Sequence, residues 1–221
     1  SHIFMSKKFN HEDFSHWIFD LDNTLYPEDE NIFPQVKKRI IEFISLKFQI
    51  DKVSANKKRQ RLYNEYGTSL RGLMSENKIN PDKFLEYVHD IDLSIINKNL
   101  KLNRALKKIN GTKYIFTNGS FKHAESVLQK LGIEKNFHSI HSIETSGYIP
   151  KPSKHAYEKM MLQENIDPLR AIMFEDTKWN LKTAKMLEMT TVLISSKNDL
   201  LENEKNDYID YTITDLEEFL S

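Results

Sequence analysis

Trp17-Ile18-Phe19-Asp20-Leu21-Asp22-Asn23-Thr24-Leu25-Tyr26-Pro27 opens on an apolar run that stops abruptly at a carboxylate. Three bulky apolar residues in a row, without alternation, are the mark of a strand buried on both faces, as in a parallel sheet covered by helices. The polar residues that follow then lie at the strand's carboxyl end, which is where open α/β sheets bind ligands. The stretch before Phe14 reads as a polar lead-in outside the core.

Downstream of Pro27 the rhythm changes. Ile32, Phe33, Val36, Ile40, Ile41, Ile44 and Phe48 recur at spacings of three and four, as on one face of a helix. Leu62, Tyr63, Tyr66, Leu70, Leu73 and Met74 continue that spacing, and Asn80-Pro81-Asp82 restarts a helix carrying Phe84, Leu85 and Val88. Residues 27–99 therefore read as a helical module of three to five helices, with Phe33, Tyr63 and Tyr66 mostly in its core. The basic run Lys52–Arg61 reads as a solvated helix face.

Past Leu102 strands and helices alternate, the pattern of a parallel sheet with crossover helices. Strands are expected at 114–116, 137–143, 171–174, 190–194 and 208–213, and helices at 120–131, 153–165 and 177–187, with a short one at the C-terminus. The fold class is α/β: a Rossmann-like parallel sheet flanked by helices, formed by residues 14–26 and 100–221 and interrupted by the helical insert.

Four strand ends carry polar residues: Asp20 and Asp22; Thr117-Asn118-Gly119; Lys151 between Pro150 and Pro152; and Glu175-Asp176. A single Asp-x-Asp in a loop is ordinarily solvated or capping, but four such ends in order gather on one site. Three carboxylates around one lysine repel unless a cation joins them, and hard oxygen ligands suit Mg²⁺. Lys151, Thr117 and the amides of Asn118 and Gly119 could hold a phosphate near a helix start. Asp20 then serves as nucleophile and Asp22 as general acid and base. Asn23 and Tyr26 are expected at the substrate mouth, and Asn180 reads equally well as a surface residue or as support for the acidic loop.

These residues resemble the four motifs of the haloacid dehalogenase superfamily, over about Phe14 to Thr214. Asp20, Asp22 and Thr24 match the first, Thr117 the second, Lys151 the third, and Glu175 with Asp176 the fourth. The resemblance implies Mg²⁺ held by the Asp20 carboxylate, the Asp22 backbone carbonyl and Asp176, with Glu175 bound directly or through water, and identifies the insert as a cap. DLDNTLYP (20–27), FTNGSFKHA (116–124) and PKPSKHAY (150–157) are further similar to pyrimidine 5′-nucleotidases of this superfamily. The implied activity is hydrolysis of a small phosphorylated metabolite, a nucleoside 5′-monophosphate. The alternatives are a phosphosugar mutase, a phosphatase of other small esters, and a non-enzymatic nucleotide-binding protein. A dehalogenase needs no acid at position 22. Glu188 stands where relatives end a helix with Gly, and Ser120, His138 and His141 stand where Asp is frequent.

Composition narrows the partners. Lys plus Arg (32) equals Asp plus Glu (32), so no net field draws the protein to nucleic acid or to an anionic membrane. The chain has no Cys, which removes thiolate chemistry and fits a reducing compartment. With no signal segment or spanning stretch, the expected location is cytoplasmic. The eight His show no metal-ligand spacing; His138 and His141 are expected on opposite faces of a strand, and His123 as a helix-packing residue.

Overall fold

A computed structural model describes residues 4–5, 8–28, 32–196 and 206–221. Its sheet runs β1-β7-β6-β5-β2-β3-β4, where β2 is His16–Phe19, β3 Thr112–Phe116, β4 Ser139–His141, β5 Ala171–Glu175, β6 Thr190–Ile194 and β7 Tyr211–Ile213. These six strands are parallel. The seventh, β1 (Phe4–Met5), pairs antiparallel with β7, so the sheet begins earlier than the expected lead-in allows. Short edge strands of this kind carry no alternation long enough to read.

The central strand β2 buries alternate residues into two layers. Trp17 and Phe19 join the core under α5 (Leu100–Lys107), α6 (Phe121–Leu131) and α9 (Leu216–Leu220). Ile18 faces the opposite layer with α7 (Lys154–Glu164) and α8 (Lys178–Met186). Phe19 and Phe174 stack across neighbouring strands at 4.7 Å between ring centres. Loss of either ring from such a packed layer costs about 3–5 kcal/mol.

Chain order explains where the site must be. From β2 the chain steps outward through β3 and β4, then returns to place β5 on the other flank of β2 and continues outward through β6. The reversal falls between β2 and β5, a topological switch point whose carboxyl ends open into a crevice. Asp20 follows β2 and Glu175 ends β5, and the Asp20 amide donates to the Phe174 carbonyl at 3.0 Å.

Among the described residues the insert holds α1 (Phe33–Phe48), α2 (Lys52–Tyr66), α3 (Ser69–Asn77) and α4 (Pro81–Val88), which share an apolar cluster of their own. Side-chain caps start three of them: Asp51, Thr68 and Asn80 each accept from a first-turn amide. Phe33 and Tyr63 are about half exposed, against the expected core role, while Tyr66 packs on the cluster. Their spacing was helical on a face too wide to be covered entirely by three neighbours.

Other differences have local causes. α5 continues the insert's last segment without a strand before it, capped by Asn99 accepting from the Leu102 amide. β4 is shorter than residues 137–143, because Ile143 leaves the sheet to pack into the insert's cluster. His138 therefore sits outside the strand, and both it and His141 face Glu164 rather than opposite sides. Glu188 adopts φ of 72°, the left-handed backbone for which glycine is the usual choice.

Candidate active site

Asp20 is buried, and both its oxygens are engaged. Oδ1 accepts from Lys151 Nζ at 3.1 Å and Oδ2 from Thr24 Oγ1 at 3.1 Å. Lys151 Nζ also donates to the Phe116 carbonyl at 2.6 Å and to Glu175 Oε2 at 2.9 Å. A buried ammonium is tolerable only when paired this fully. The strand ends thus supply its whole environment, since Phe116 closes β3, Glu175 closes β5 and Asp20 follows β2.

Glu175 is saturated. Its Oε2 accepts from Lys151 and from Asn180 Nδ2 (3.1 Å), and its Oε1 from the amides of Asp176 (3.2 Å) and Thr177 (3.3 Å). A carboxylate offers about four such sites. Asn180 therefore supports the acidic loop and is not a surface residue. Asp176 accepts from Thr24 Oγ1 at 3.4 Å, and carboxylate oxygens of Asp20, Glu175 and Asp176 lie within 4.8 Å of one another.

The electrostatics are lopsided. Burial, and then the neighbouring Glu175, push the Asp20 carboxyl up to about 7 despite Lys151. Burial followed by Asp20 and Glu175 pushes Asp176 up to about 11. Burial, the largest influence, would also raise Glu175, but Lys151 and the hydrogen bonds from Asp20 and Asp176 together outweigh it and hold Glu175 below the usual range. Burial alone would lower Lys151; the facing carboxylates raise it. Three acids thus exceed what one ammonium neutralises, and a hard divalent cation fits the excess.

Asp22 lies apart, toward the insert. Its Oδ1 meets His123 Nε2 at 2.9 Å and accepts from the Tyr26 hydroxyl at 2.5 Å. Burial works to raise the Asp22 carboxyl, but His123 and Tyr26 outweigh it and leave it lowered. Tyr26 is consequently buried with its hydroxyl spent on the acid, while it also lines the neighbouring cleft as expected of a residue at the mouth, and His123 does more than pack. His89, at the end of α4, stacks on His123 with ring centres 4.3 Å apart; burial first, then His123, push His89 down to about 3.

Thr117 is buried after β3, and its Oγ1 accepts the Gly119 amide at 3.0 Å, so that amide is already engaged and not free for a phosphate. The Asn118 side chain exchanges two bonds with the Lys151 backbone, accepting from its amide at 2.8 Å and donating to its carbonyl at 3.1 Å. Asn118 thereby fastens the Lys151 loop, in which the Lys151–Pro152 peptide is cis. Asn23 has φ of 61° and a buried Oδ1 without a partner. It lines a cleft of about 1240 Å³ beside Asp176, shared with Thr24, Lys98, Lys178 and Ser195. Asp20, Thr117 and Lys151 do not line that cleft.

His89 and His123 were not read as site residues, and the bond from Tyr26 to Asp22 was not foreseen. His123 carried one signal, its place in the FTNGSFKHA stretch; His89 lies in a helix-end sequence with no motif around it.

A family model described as a haloacid dehalogenase-like hydrolase matches residues 15–187. The chain belongs to the haloacid dehalogenase-like hydrolases. Phosphate metabolism protein 8 of Saccharomyces cerevisiae is 26% identical over 216 residues, covering 86% of this chain and 66% of that protein, so the chain spans just under two thirds of its length. Among solved structures, a HAD phosphatase from Thermococcus onnurineus superposes with a TM-score of 0.63 at 18% identity, covering 93% of this chain and 95% of that one. The magnesium-bound HAD hydrolase YfnB from Bacillus subtilis gives 0.58 at 16%, covering 93% and 96%. L-2-haloacid dehalogenase from Xanthobacter autotrophicus gives 0.56 at 10%, covering 94% and 97%. At these identities the structural likeness establishes the haloacid dehalogenase-like fold, which phosphatases and dehalogenases share. Among the described residues no helix is long and apolar enough to cross a membrane.

Proposed function

We propose that this hydrolase cleaves phosphate monoesters through an aspartyl phosphate on Asp20, with Mg²⁺ as cofactor and nucleoside 5′-monophosphates as the substrate class. The observation that carries this reading is the convergence of Asp20, Glu175 and Asp176 within 4.8 Å around Lys151, with a further acid, Asp22, held apart from them. Asp20 and Asp176, with the Asp22 backbone carbonyl, would hold the metal; Glu175, already saturated by four donors, would reach it through water. When bound, Mg²⁺ neutralises charge on the phosphoryl oxygens and on the raised acids.

In the first step an Asp20 oxygen attacks phosphorus and the ester P–O bond breaks, while Asp22 passes its proton to the departing alkoxide. In the second, Asp22 as carboxylate takes a proton from water, whose oxygen attacks phosphorus. The bond to Asp20 breaks, and inorganic phosphate leaves. Lys151 stabilises the charge on the Asp20 carboxylate and, with the Thr117 hydroxyl and the Asn118 amide, on the phosphoryl oxygens. Gly119, whose amide is spent on Thr117, contributes space instead: a Cβ there would lie 3.3 Å from Thr117 Oγ1.

The helices within 27–99 serve as the cap that excludes water, over a core of 14–26 and 100–221. Asp22 favours phosphoester cleavage over the dehalogenation named for some structural neighbours, since halide departure needs no proton. The name of the yeast relative, a phosphate metabolism protein, agrees with this reading. The nucleotide preference rests on the DLDNTLYP, FTNGSFKHA and PKPSKHAY stretches, and a cysteine-free chain suits the cytoplasm. The test is phosphate release with Mg²⁺ from nucleoside monophosphates, sugar phosphates and lysophosphatidate. Nucleoside 5′-monophosphates should lead the panel; faster release from another ester would reassign the substrate, and a phosphate isomerised on a sugar would indicate a mutase.

A further inference from the structure

Asp22 is gripped by one oxygen only. Oδ1 takes both the Tyr26 hydroxyl and His123 Nε2, whereas no hydrogen bond reaches Oδ2 among the described residues. Oδ2 lies 3.8 Å from the point where a Cβ on Gly119 would stand, beside Thr117 Oγ1. With Oδ1 occupied by two donors, Oδ2 is the oxygen left to carry a proton toward a leaving group.

The His123 ring is almost wholly buried, and its Nδ1 has no partner. A hydrogen on Nδ1 alone would be stranded, so Nε2 carries one and donates it to Asp22. With no bond at Nδ1, the ring takes its orientation from the parallel ring of His89, 10° from coplanar. His89 comes from the insert and is itself fastened to the core: its Nδ1 shares a hydrogen bond with Ser120 Oγ at 3.0 Å. Ser120 is the N-cap of α6, accepting the His123 amide at 3.1 Å through the same oxygen. The insert grips the core again where Tyr148 donates to Asp82 at 2.6 Å, on the loop leading to Lys151.

We propose that His123 is a positioning residue, turning Asp22 so that Oδ2 faces the leaving group, and that His89 makes this alignment depend on the seating of the cap. The proposal rests on the phosphomonoesterase reading. Two features separate it from simple packing: the bond is to one chosen oxygen, and the ring that supports it belongs to the opposite module.

The experiment compares kcat/KM for 2,4-dinitrophenyl phosphate, whose leaving group departs without a proton, with that for an alkyl ester such as a nucleoside 5′-monophosphate. His123→Met keeps the bulk and removes the N–H; His123→Gln returns an N–H. Because general acid catalysis contributes about 10²–10⁴-fold, His123→Met should lower the alkyl ester's kcat/KM by about 10²-fold and the dinitrophenyl ester's by less than about 3-fold. His123→Gln should recover most of the difference. His89→Ala should show a smaller loss with the same selectivity, and His89→Phe, which keeps a ring to stack, a smaller loss still. Melting curves accompany each variant; if His123→Met does not fold, the His89 pair carries the same leaving-group readout.

An equal loss on both esters, or no recovery in His123→Gln, overturns the proposal while leaving the phosphomonoesterase reading in place. A wild type that releases phosphate from neither ester overturns that reading and this proposal with it.

Discussion

The loop from Asp20 to Tyr26 divides two regions of opposite character. On one side Asp20 faces Glu175, Asp176 and the Lys151 ammonium, and its carboxyl is pushed up to about 7 by burial and by like charge. On the other, two residues along the chain, Asp22 faces His123, His89 and Tyr26 and is lowered. Identical side chains thus receive opposite environments from the strands and helices around them: without a cation Asp20 is the acid that keeps its proton more readily, and a bound divalent cation would free it as a nucleophile. The acid-rich side is built to receive a cation; the histidine-rich side is built to hold the Asp22 carboxyl in one orientation.

Removing one carboxylate at a time tests that division most strongly. Asp20→Asn should lower phosphate release by about 10⁴-fold or more, since no other group forms the intermediate. Asp22→Asn should lower kcat/KM by about 10²–10⁴-fold on alkyl esters and much less on esters with good leaving groups, whose first step needs no acid. Acid quench of Asp22→Asn with labelled dinitrophenyl phosphate should trap phosphate on the protein, and Asp20→Asn should trap none. If the two variants behave alike on both ester types, the sides do not differ in role.

Lys151 tests the acid-rich side as structure. Its ammonium is paired with Asp20 and Glu175 at 3.1 and 2.9 Å, with the side chain almost wholly buried. Lys151→Met would leave two buried carboxylates facing each other, and breaking a buried pair from one side costs about 3–5 kcal/mol. Urea unfolding of the metal-free protein measures this. A change below about 1 kcal/mol would mean the site relaxes by admitting water.

Much of this arrangement was legible in the sequence, and the limits have physical causes. The apolar run ending at Asp20 could be read because a strand buried on both faces tolerates no polar interruption. Lys151 could be read because prolines flank it, and Glu175-Asp176 because they too end an apolar run. His89 could not: its partner is 34 residues away, on an element of the other module, and ring stacking leaves no periodicity. Tyr26 lines the cleft, as its place beside the nucleophile suggested, but the turn of its hydroxyl onto Asp22 depends on burial by distant residues and could not be read. Phe33 and Tyr63 show that helical spacing marks a face without saying whether another helix covers it. The edge pairing of Phe4–Met5 with Thr212 and Tyr211 rests on a long-range meeting that two residues cannot announce.

Metal-dependent stability separates the two sides by pH. Asp20 and Asp176 have raised values in the folded state, so their stabilising contribution is complete below pH about 4 and is lost as pH rises, for Asp20 through about 7. Asp22 and Glu175 are lowered; their contribution is complete above the ordinary carboxylate range and constant from pH 5 to 8. His89, pushed down to about 3, works the other way below pH about 6.5, but two raised acids outweigh one imidazole; metal-free protein should therefore melt lower at pH 8 than at pH 5, and EDTA should abolish turnover. Mg²⁺ at about 100 times its Kd should restore about 2.7 kcal/mol at pH 8, with a smaller gain at pH 5 where protons compete. Asp176→Asn should remove that gain. An equal Mg²⁺ effect at both pH values would place the cation elsewhere.

The smallest effect belongs to a neutral donor on the acid-rich side. Asn180 Nδ2 donates to Glu175 Oε2 at 3.1 Å, an oxygen that keeps Lys151 when the amide is lost, and the Asn180 carbonyl goes on accepting from the Tyr157 hydroxyl. Removing one donor from a buried carboxylate that retains its cation costs about 1–2 kcal/mol, so Asn180→Ala should fall between a surface change and Lys151→Met in urea unfolding. Its turnover should stay within about 10-fold of wild type, because Asp20 and Asp22 both keep their partners. If Asn180→Ala instead matches Lys151→Met in stability, the amide and the ammonium act as one unit. The excess of negative charge that calls for a metal would then depend on the whole hydrogen-bonded ring around Glu175, and not on the lysine alone.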